Sequence, residues 1–353
     1  MSKIYVSGLN ANKIVLVNKY DDEESITVSD KFLSIPDEEI TNIDIGWDYY
    51  LIWKNNNVYI TGKIVNSNDI LVNKLLQIPQ CSDHKFKQVI AGSEKITVLV
   101  DNYDIWLYNI YSDTWEIVPS TFILNSCEND KEYVIKISQG RCTVGLTNFG
   151  RVFNIPISLN NPDEIKFVDI ACGYNHTLLL AENGDIYSTG MGTRGELGHG
   201  DLEDCDEPKL IEALAGLKVI HISTYGWHSA VVTDQGDLYT WGWNNQGQLG
   251  QPNIENVLAV PTLVDLKDST QKEIELNVIK AECGSAFTIC QTDNGNLWGC
   301  GSNKYGQLGI SRNKLTMSKE FILLEFDDPI GKIVDFKCRE WSTFVRTIVN
   351  KTV

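Results

Sequence analysis

The sequence of 353 residues has few of the features that mark secreted, membrane-spanning or metal-binding proteins. No run approaches 18 apolar residues, and the first residues, MSKIYVSGLN, lack the apolar stretch of a secretory signal. Only five histidines are present, in no metal-ligand pattern, and no Cys-x-x-Cys pair occurs among the nine cysteines. We therefore expect a soluble nuclear or cytosolic protein, not a secreted one, without metal or cofactor. Five cysteines in the regular part of the chain are predicted to be buried and reduced: Cys172, Cys283, Cys290, Cys300 and Cys338.

Basic residues are also scarce, since 30 lysines and arginines stand against 47 acidic residues and give a net charge of −17. This excess argues against a broad cationic face, so direct nucleic-acid binding is not expected. Acidic residues gather in a run at 21–24 and in an acidic loop made of Asp201, Glu203, Asp204, Asp206 and Glu207. The simpler interpretation of these runs is solubility. The functional interpretation is a docking surface for a basic partner such as a histone tail.

A glycine-rich stretch, TGMGTRGELGHGD at 189–201, contains the pattern G-x-G-x-x-G. A dinucleotide-binding loop of this kind would open a helix, but the residues that follow have loop composition and no apolar period of 3.6. The stretch also recurs as GWNNQGQLG and GSNKYGQLG, in which Asn244 and Asn303 replace Gly192. Because Gly and Asn both adopt left-handed conformations readily, we predict a left-handed turn at this position and no phosphate site.

Each glycine loop follows a predicted β-hairpin. The segments ACGYNHTLLLAENGDIYSTG, STYGWHSAVVTDQGDLYTWG and AECGSAFTICQTDNGNLWGCG each contain two strand-like runs joined by an Asn-Gly or Gln-Gly dipeptide. This composition predicts two-residue hairpin turns with positive φ at the glycine. Short, glycine-punctuated hairpins that recur along a chain are typical of propeller blades.

Weaker copies of the hairpin bring the number of predicted units to seven. They lie at 43–62, 89–109 and 137–155, while 336–350 supplies one strand whose partner we place at 3–16. Seven units of about 50 residues predict an all-β fold, a seven-bladed β-propeller closed by pairing the N- and C-terminal strands. We interpret 1–353 as a single propeller, with clear repeats at 171–309 and degenerate repeats at 1–170 and 310–353.

The loops of the form G-x-N-x-x-G-Q-L-G and the strand pairs before them resemble the regulator of chromosome condensation repeats. The resemblance is strong over 171–309 and weak before 140. More narrowly, YNHTLLLAENGDIYSTGMGTRGELGHGD and GWHSAVVTDQGDLYTWGWNNQGQLG are similar to the short, single-propeller members of this family. That resemblance implies a non-enzymatic, chromatin-associated scaffold. It would bind a JmjC-domain 2-oxoglutarate oxygenase and act in histone methylation and chromosome segregation.

Three other functions are conceivable for a propeller of this kind. The resemblance also implies, as an alternative, a nucleotide exchange factor for a small GTPase of the Ran type, which needs no catalytic motif. Ultraviolet photoreception requires clustered tryptophans, whereas Trp227 stands alone in its motif, so we predict a packed blade aromatic. Hydrolysis is not expected, because acidic residues such as Asp185 and Asp237 recur at turn positions and indicate turn chemistry.

Trp243 and Arg194 are the predicted contacts with a partner. Trp243 takes the position that Met191 and Ser302 hold in other repeats, so no shared packing role requires an aromatic residue there. An exposed tryptophan is a good interface anchor, and the alternative is a ring folded over its own blade. Arg194 is predicted on the same reasoning.

The acidic loop is a third candidate, suited to steering a basic partner. If the partner oxygenase hydroxylates this chain, Arg141 and Arg151 are the candidate sites. Trp241 and Leu249 repeat as structural positions, and we predict that they lie in the core.

Overall fold

The computed structural model describes residues 2–348, except 11–26, 36–38, 48, 64–69, 80–83, 93, 120–130, 156, 160, 163–164, 255, 269, 271 and 328–329. The acidic run at 21–24 and the end of the strand predicted at 3–16 lie outside the described residues. Within them the chain forms seven four-stranded antiparallel sheets, and Glu212–Leu214 is a short 3-10 helix. The sheets are the blades of a seven-bladed β-propeller, which confirms the predicted fold class. No helix of the described part is long and apolar enough to span a membrane.

Each sheet has four neighbouring strands in hydrogen-bonded order. Their bounds are β1 (Ser2–Asn10), β2 (Thr27–Ile35), β3 (Ile40–Ile45), β4 (Tyr49–Lys54), β5 (Asn57–Lys63), β6 (Ile70–Leu75), β7 (Phe86–Ala91), β8 (Lys95–Val100), β9 (Ile105–Asn109), β10 (Thr114–Val118), β11 (Val134–Gln139), β12 (Thr143–Thr147), β13 (Val152–Asn154), β14 (Ile157–Ser158), β15 (Phe167–Cys172), β16 (His176–Ala181), β17 (Ile186–Gly190), β18 (Cys205–Leu210), β19 (Val219–Tyr225), β20 (His228–Thr233), β21 (Leu238–Trp243), β22 (Val257–Leu263), β23 (Val278–Cys283), β24 (Phe287–Thr292), β25 (Leu297–Ser302), β26 (Met317–Leu323), β27 (Lys332–Arg339) and β28 (Ser342–Ile348).

The chain divides into two compact units. The first consists of Met1–Leu76, Asn244–Glu255 and Val264–Val353, and the second of Gln77–Trp243 and Asn256–Leu263. The sheet β2-β1-β28-β27 belongs to the first unit, where β1 pairs antiparallel with β28 from Ser2↔Ile348 to Gly8↔Ser342. This pairing of the two ends of the chain was predicted and is confirmed. The description of 1–353 as one undivided domain stays a prediction.

The loops of the regular hairpins differ from the predicted two-residue turn. Gly184 N donates to Ala181 O at 3.0 Å, and Ala181 N donates to Asp185 O at 2.9 Å, so three residues connect the strands. The φ of +93° at Gly184 has the predicted sign. Because Asn183 is not left-handed, the loop is a type I turn followed by a one-residue bulge.

Other hairpins divide between these two geometries. Gly236 and Gly295 repeat the three-residue loop, donating to carbonyls three residues earlier at 3.0 and 2.8 Å. A two-residue turn joins β4 and β5, where Asn55 and Asn56 both have positive φ. The predicted turn type therefore occurs in a blade that lacks the glycine.

Gly192 does not form the predicted left-handed turn. Neither it nor its counterparts Asn244 and Asn303 has positive φ. Close approach of the chain explains the glycine, since a Cβ on Gly192 would lie 1.9 Å from the backbone oxygen of Glu203. The asparagines act through their side chains instead. Asn303 bonds three backbone groups of its own loop at 2.7 to 2.9 Å.

The cores of both units consist of inward-facing strand residues. In the first unit Phe287, Phe336 and Leu308 are fully buried members of one cluster, and Leu249 is also fully buried. In the second unit Trp241 lies in a cluster with residues of β16, β17, β19 and β20, and its Nε1 donates to the backbone oxygen of residue 196 at 2.9 Å. The prediction that Trp241 and Leu249 are core residues is confirmed.

The five cysteines predicted to be buried are buried and free of disulfides. Burial raises the pKa of the Cys290 thiol far above its ordinary value. Two further cysteines of the described part are not buried: Cys142 is exposed and Cys205 is half-buried. Among the thiols that the structure describes, these two are placed to react with reagents in solution.

Candidate partner-binding surface and cavity

An arginine packs against two tryptophans on the second unit. The guanidinium carbon of Arg194 lies 4.2 Å from the ring centre of Trp227 and 5.2 Å from that of Trp243. The two indole rings meet edge to face with centres 4.9 Å apart. Tyr174 extends the group, 5.0 Å from Trp227 and 5.3 Å from Tyr225. We call these five residues the arginine–aromatic cluster.

Neighbouring turns bring these side chains together. Tyr174 lies between β15 and β16, Trp227 lies between β19 and β20, and Trp243 ends β21, while Arg194 belongs to the glycine loop after β17. Trp243 N donates to Trp227 O at 2.8 Å, and Tyr174 N donates to Gly226 O at 2.8 Å. Backbone hydrogen bonds therefore hold the turns that carry three of the rings.

The cluster is partly open to solvent. Arg194, Trp227 and Trp243 are half-buried, and Tyr225 is buried. Within the described residues Arg194 forms no ion pair, so its guanidinium is held by the rings. Cation–π contacts at such sites contribute about 0.5–1 kcal/mol each. Arginine and tryptophan in ordered, half-buried positions are the residue types that most often dominate the energy of protein binding.

The structure brings the two predicted contact residues, Trp243 and Arg194, to one place. The ring of Trp243 packs on Trp227 of its own blade, as the alternative interpretation predicted, and it also contacts Arg194, which belongs to the loop after β17 in another blade. Trp227 is packed, as predicted, but it is not isolated, since it contacts two aromatic rings and a guanidinium. A related pair in the first unit, Tyr305 and Trp341, has ring centres 5.4 Å apart. The alignment of aromatic residues at equivalent turn positions is the sequence signal that would have revealed the cluster.

A cavity of about 380 Å³ opens on the same unit, with Tyr174 in its wall. Its walls come from the turn before β12, from the turn between β15 and β16, and from the acidic loop. The charged and polar residues that line it are Arg141, Cys142, Asn154, Tyr174, Asn175, His176, Thr177, Thr189, Asp204 and Asp206. Cavities of about 300–1,000 Å³ are typical of ligand sites, so this cavity can admit a side chain.

Only part of the acidic loop lines this cavity. Asp204 and Asp206 are lining residues, whereas Asp201, Glu203 and Glu207 are not. All five side chains are exposed. A backbone N–H of the glycine loop donates to Asp204 Oδ1 at 2.9 Å, which ties the acidic loop to the loop that carries the arginine of the cluster.

The two arginines predicted as modification sites have different surroundings. Arg141 is exposed and lines the cavity. Arg151 is bonded to the buried carboxylate of Glu132, with Nε donating to Oε1 at 2.9 Å. Burial alone would raise the pKa of Glu132, but hydrogen bonds from Arg151 and Thr147 hold it below its ordinary value. Arg151 is therefore part of a structural ion pair.

His176, a residue of the cavity wall, has a buried imidazole and is 2% exposed. Its Nε2 lies 2.6 Å from Thr224 Oγ1 and 2.9 Å from Ser229 Oγ. Both hydroxyls donate to backbone carbonyls, so each accepts from His176, and Nε2 carries the proton. Nδ1 is then a lone-pair acceptor, and it has no hydrogen-bond partner in the described structure. Burial and the neighbouring His228 lower the pKa of His176 to about 3.

Glu196 is a fully buried carboxyl group beside the cluster. Its Oε2 accepts from Arg194 N at 2.6 Å, and its Oε1 has no partner in the described part. Burial raises its pKa. Gln248 and Gln307 make the equivalent backbone hydrogen bond without a charge, both at 2.9 Å. Among the described residues, no group of three or more His, Cys, Asp or Glu side chains is placed to hold a metal ion.

Comparison with protein-family models identifies the repeats. The model of the regulator of chromosome condensation (RCC1) repeat matches residues 183–232 and 235–291. A second RCC1 repeat model matches 167–196, 219–248 and 278–307. The chain carries RCC1 repeats. All five residues of the arginine–aromatic cluster lie within the matched segments.

Two curated relatives differ greatly in length. RCC1 domain-containing protein 1 of Mus musculus is 31% identical over 211 residues, which cover 52% of this chain and 56% of that protein. The E3 ubiquitin-protein ligase HERC2 of Mus musculus is 42% identical over 147 residues, 41% of this chain and 3% of that protein. The chain therefore spans about half the length of the first relative and a small part of the second.

Solved structures show the same fold. Prp20p of Saccharomyces cerevisiae, described with its binding to Gsp1p and histones, matches with a TM-score of 0.75 at 15% identity. The match covers 99% of this chain and 92% of the Prp20p chain. This likeness concerns the fold alone, and it agrees with the seven-bladed propeller that the sheets form.

Proposed function

We propose that this RCC1-repeat propeller is a non-catalytic scaffold that binds a partner protein through the arginine–aromatic cluster. The observation that carries the proposal is the stacking of Arg194 on Trp227 and Trp243 in a half-buried, ordered group. Side chains that are ordered before binding lose little conformational entropy on association. Loops presented by rigid blades are also where propellers usually contact their partners.

The proposed partner is a JmjC-domain 2-oxoglutarate oxygenase. Support comes from the similarity to RCC1 domain-containing protein 1 and from the resemblance to short, single-propeller family members. In this proposal the partner's own iron site performs the oxidation, and this chain positions or stabilises the enzyme. The complex would act in the nucleus or cytosol, in the control of histone methylation and in chromosome segregation.

An exchange factor for a small GTPase of the Ran type is the second candidate. The observation that favours it is the likeness of the whole chain to Prp20p, which is described as binding Gsp1p. An exchange factor binds its nucleotide-free GTPase most tightly and releases it when free guanine nucleotide is added. Nucleotide dependence therefore separates this candidate from the scaffold.

Affinity capture from nuclear extract tests both candidates. The tagged full chain is incubated with and without an excess of free guanine nucleotide, and the retained proteins are identified by mass spectrometry. The scaffold proposal expects a JmjC oxygenase in both samples. It also expects the oxygenase to be lost with Arg194→Ala and kept with Trp47→Ala, a control at a tryptophan that is 49% exposed. Retention of a Ran-type GTPase only without nucleotide would overturn the scaffold proposal in favour of exchange.

A further inference from the structure

The hairpin turn between β8 and β9 carries a strained tyrosine. Tyr103 N donates to Val100 O at 2.9 Å, the same bond that Gly184 and its counterparts make in the regular hairpins. Tyr103 therefore takes the glycine position of the three-residue loop, and its φ is +70°. This left-handed conformation costs free energy for a residue with a Cβ and little for glycine. Such strain persists where the surrounding structure compensates for it, and it is concentrated at functional sites.

Two neighbouring side chains hold the ring of Tyr103. The ring of Tyr133 lies against it, with ring centres 3.8 Å apart and planes inclined by 30°. The ammonium of Lys87, a residue of β7, lies 3.6 Å from the centre of the Tyr103 ring. Tyr133 is itself fixed by Asn148, because Tyr133 N donates to Asn148 Oδ1 at 3.0 Å and Asn148 N donates to Tyr133 O at 3.1 Å. The Tyr103 ring is therefore held in place while it stays half-buried.

The ammonium favours ionisation of this phenol. A positive charge within about 4–6 Å stabilises the anionic form of an acid. Within the described residues Lys87 forms no ion pair, so no carboxylate neutralises its charge. Hydrogen bonding from Lys87 and from Tyr133, together with the charge of Lys87, lowers the pKa of Tyr103 below its ordinary value. The pKa of Tyr133 is raised, because its hydroxyl donates to Tyr103. Of the two phenols, Tyr103 therefore ionises first.

The acidic residues of the same turn have other partners. Asp101 Oδ1 lies 2.9 Å from His84 Nδ1, and Asp104 accepts from a side-chain amide of the turn at 2.7 Å. Among the contacts that the structure describes, neither carboxylate is bonded to Tyr103 or to Lys87. The ammonium and the neighbouring phenol are therefore the groups that favour the phenolate.

We propose that Tyr103 is a nucleophilic tyrosine, a modification site at which the phenolate takes a sulfonyl electrophile. An aryl sulfonyl fluoride is the model reagent. The phenol loses its proton to water, the phenolate oxygen attacks sulfur, and the sulfur–fluorine bond breaks as fluoride leaves. The product is an aryl sulfonate ester of Tyr103, formed without any oxidant or reductant. Lys87 and Tyr133 promote the step by stabilising the phenolate.

Competitive labelling of the natural chain tests the proposal. The full chain is treated at pH 8 with benzenesulfonyl fluoride, and the rate at each residue is followed by peptide mass spectrometry. Tyr111 is the internal comparison, since it is 41% exposed and therefore more accessible than Tyr103. Tyr103 should react about fivefold faster or more, because a larger fraction of it is ionised. Equal labelling of Tyr111, or labelling of Lys87 in place of Tyr103, would overturn the proposal.

Matched variants identify what activates the phenol. Lys87→Met removes the ammonium and keeps the length of the side chain, and Tyr133→Phe removes the hydroxyl and keeps the ring. Each should slow labelling of Tyr103 about threefold or more and move the midpoint of its pH dependence to higher pH. Lys85→Met removes the same charge at an exposed position two residues away and should change the rate less than about twofold. Equal losses with Lys85→Met and Lys87→Met, or an unchanged midpoint, would contradict activation by these neighbours.

Replacement by glycine separates the site from the fold. Tyr103→Gly restores the residue of the other hairpins and removes the backbone strain, so the variant should fold, as verified by circular dichroism. Its total labelling by the reagent should fall sharply. Unchanged total labelling of folded Tyr103→Gly would place the reactive residue elsewhere and refute the site.

Discussion

Replacement of Glu196 by glutamine should make the protein more stable at neutral pH. The carboxylate is 0% exposed, and one of its two oxygens has no hydrogen-bond partner in the described structure. Burying an ionised carboxyl group costs more than burying a neutral amide of the same shape, because the charge loses more solvation. Glutamine can keep the hydrogen bond from Arg194 N while removing the charge, as Gln248 and Gln307 do, and its Nε2 would lack a partner as theirs does. The gain therefore comes from the charge alone, and we expect Glu196→Gln to raise the free energy of unfolding by about 1–2 kcal/mol at pH 8.

The effect should depend on pH in one direction. Burial raises the pKa of Glu196 above that of a glutamate in the unfolded chain, so between the two values the folded protein binds more protons. The natural protein therefore loses stability as the pH rises from about 4.3 through the folded pKa. The variant has no such group. Its advantage should be absent near pH 4 and complete above the folded pKa.

Differential scanning calorimetry between pH 4 and 8 measures this difference. For a chain of this size 1–2 kcal/mol corresponds to a rise in Tm of about 1–3 °C. Glu182→Gln, a change at an exposed glutamate in the hairpin turn of the same blade, is the control and should leave Tm unchanged at both ends of the range. A Tm of Glu196→Gln at or below that of the natural protein at pH 8 would refute the reasoning, as would a difference that does not shrink toward pH 4.

Two further predictions concern other side chains. Arg151→Ala leaves the buried Glu132 carboxylate without its ion pair, and because Arg151 is itself partly exposed we expect a loss of about 2 kcal/mol at pH 7 by urea unfolding. Arg141→Ala should cost less than about 0.5 kcal/mol, and equal losses would contradict the assignment. Since hydrogen bonds outweigh burial and lower the pKa of Glu132, the deficit of Arg151→Ala should shrink as the pH falls below about 4.3. N-ethylmaleimide should label the exposed Cys142 and not the buried Cys290, whose thiol pKa is raised, and equal labelling rates would contradict the described burial.

The fold was predictable because its determinants are local and repeat. Alternating apolar residues, glycine-punctuated loops and a missing strand at each end are all visible in one sequence. The turn type was not predictable, because Asn-Gly fits both a two-residue turn and a three-residue loop with a bulge. The role of Gly192 was also missed, since it depends on the backbone of Glu203, eleven residues later, passing within reach of its Cα.

The candidate site was predictable only in part. Trp243 and Arg194 stood out because they break the pattern of their repeats, and the structure places them in one cluster. Tyr174 and Trp227 did not stand out, because their importance comes from contacts between turns that lie about fifty residues apart in the chain. The cavity likewise combines a turn near Arg141 with the acidic loop, and no spacing in the sequence indicates that these segments meet.

The binding of the captured partner to cluster variants tests the central claim most directly. Arg194→Ala and Trp227→Ala should each weaken binding by about thirtyfold or more, as residues that dominate an interface do. Trp47→Ala should change it less than about twofold. Circular dichroism and Tm, recorded for each variant, would verify that the blades remain folded. Folded Arg194→Ala and Trp227→Ala proteins that bind the partner as tightly as the natural chain would contradict the assignment of the arginine–aromatic cluster as the binding surface.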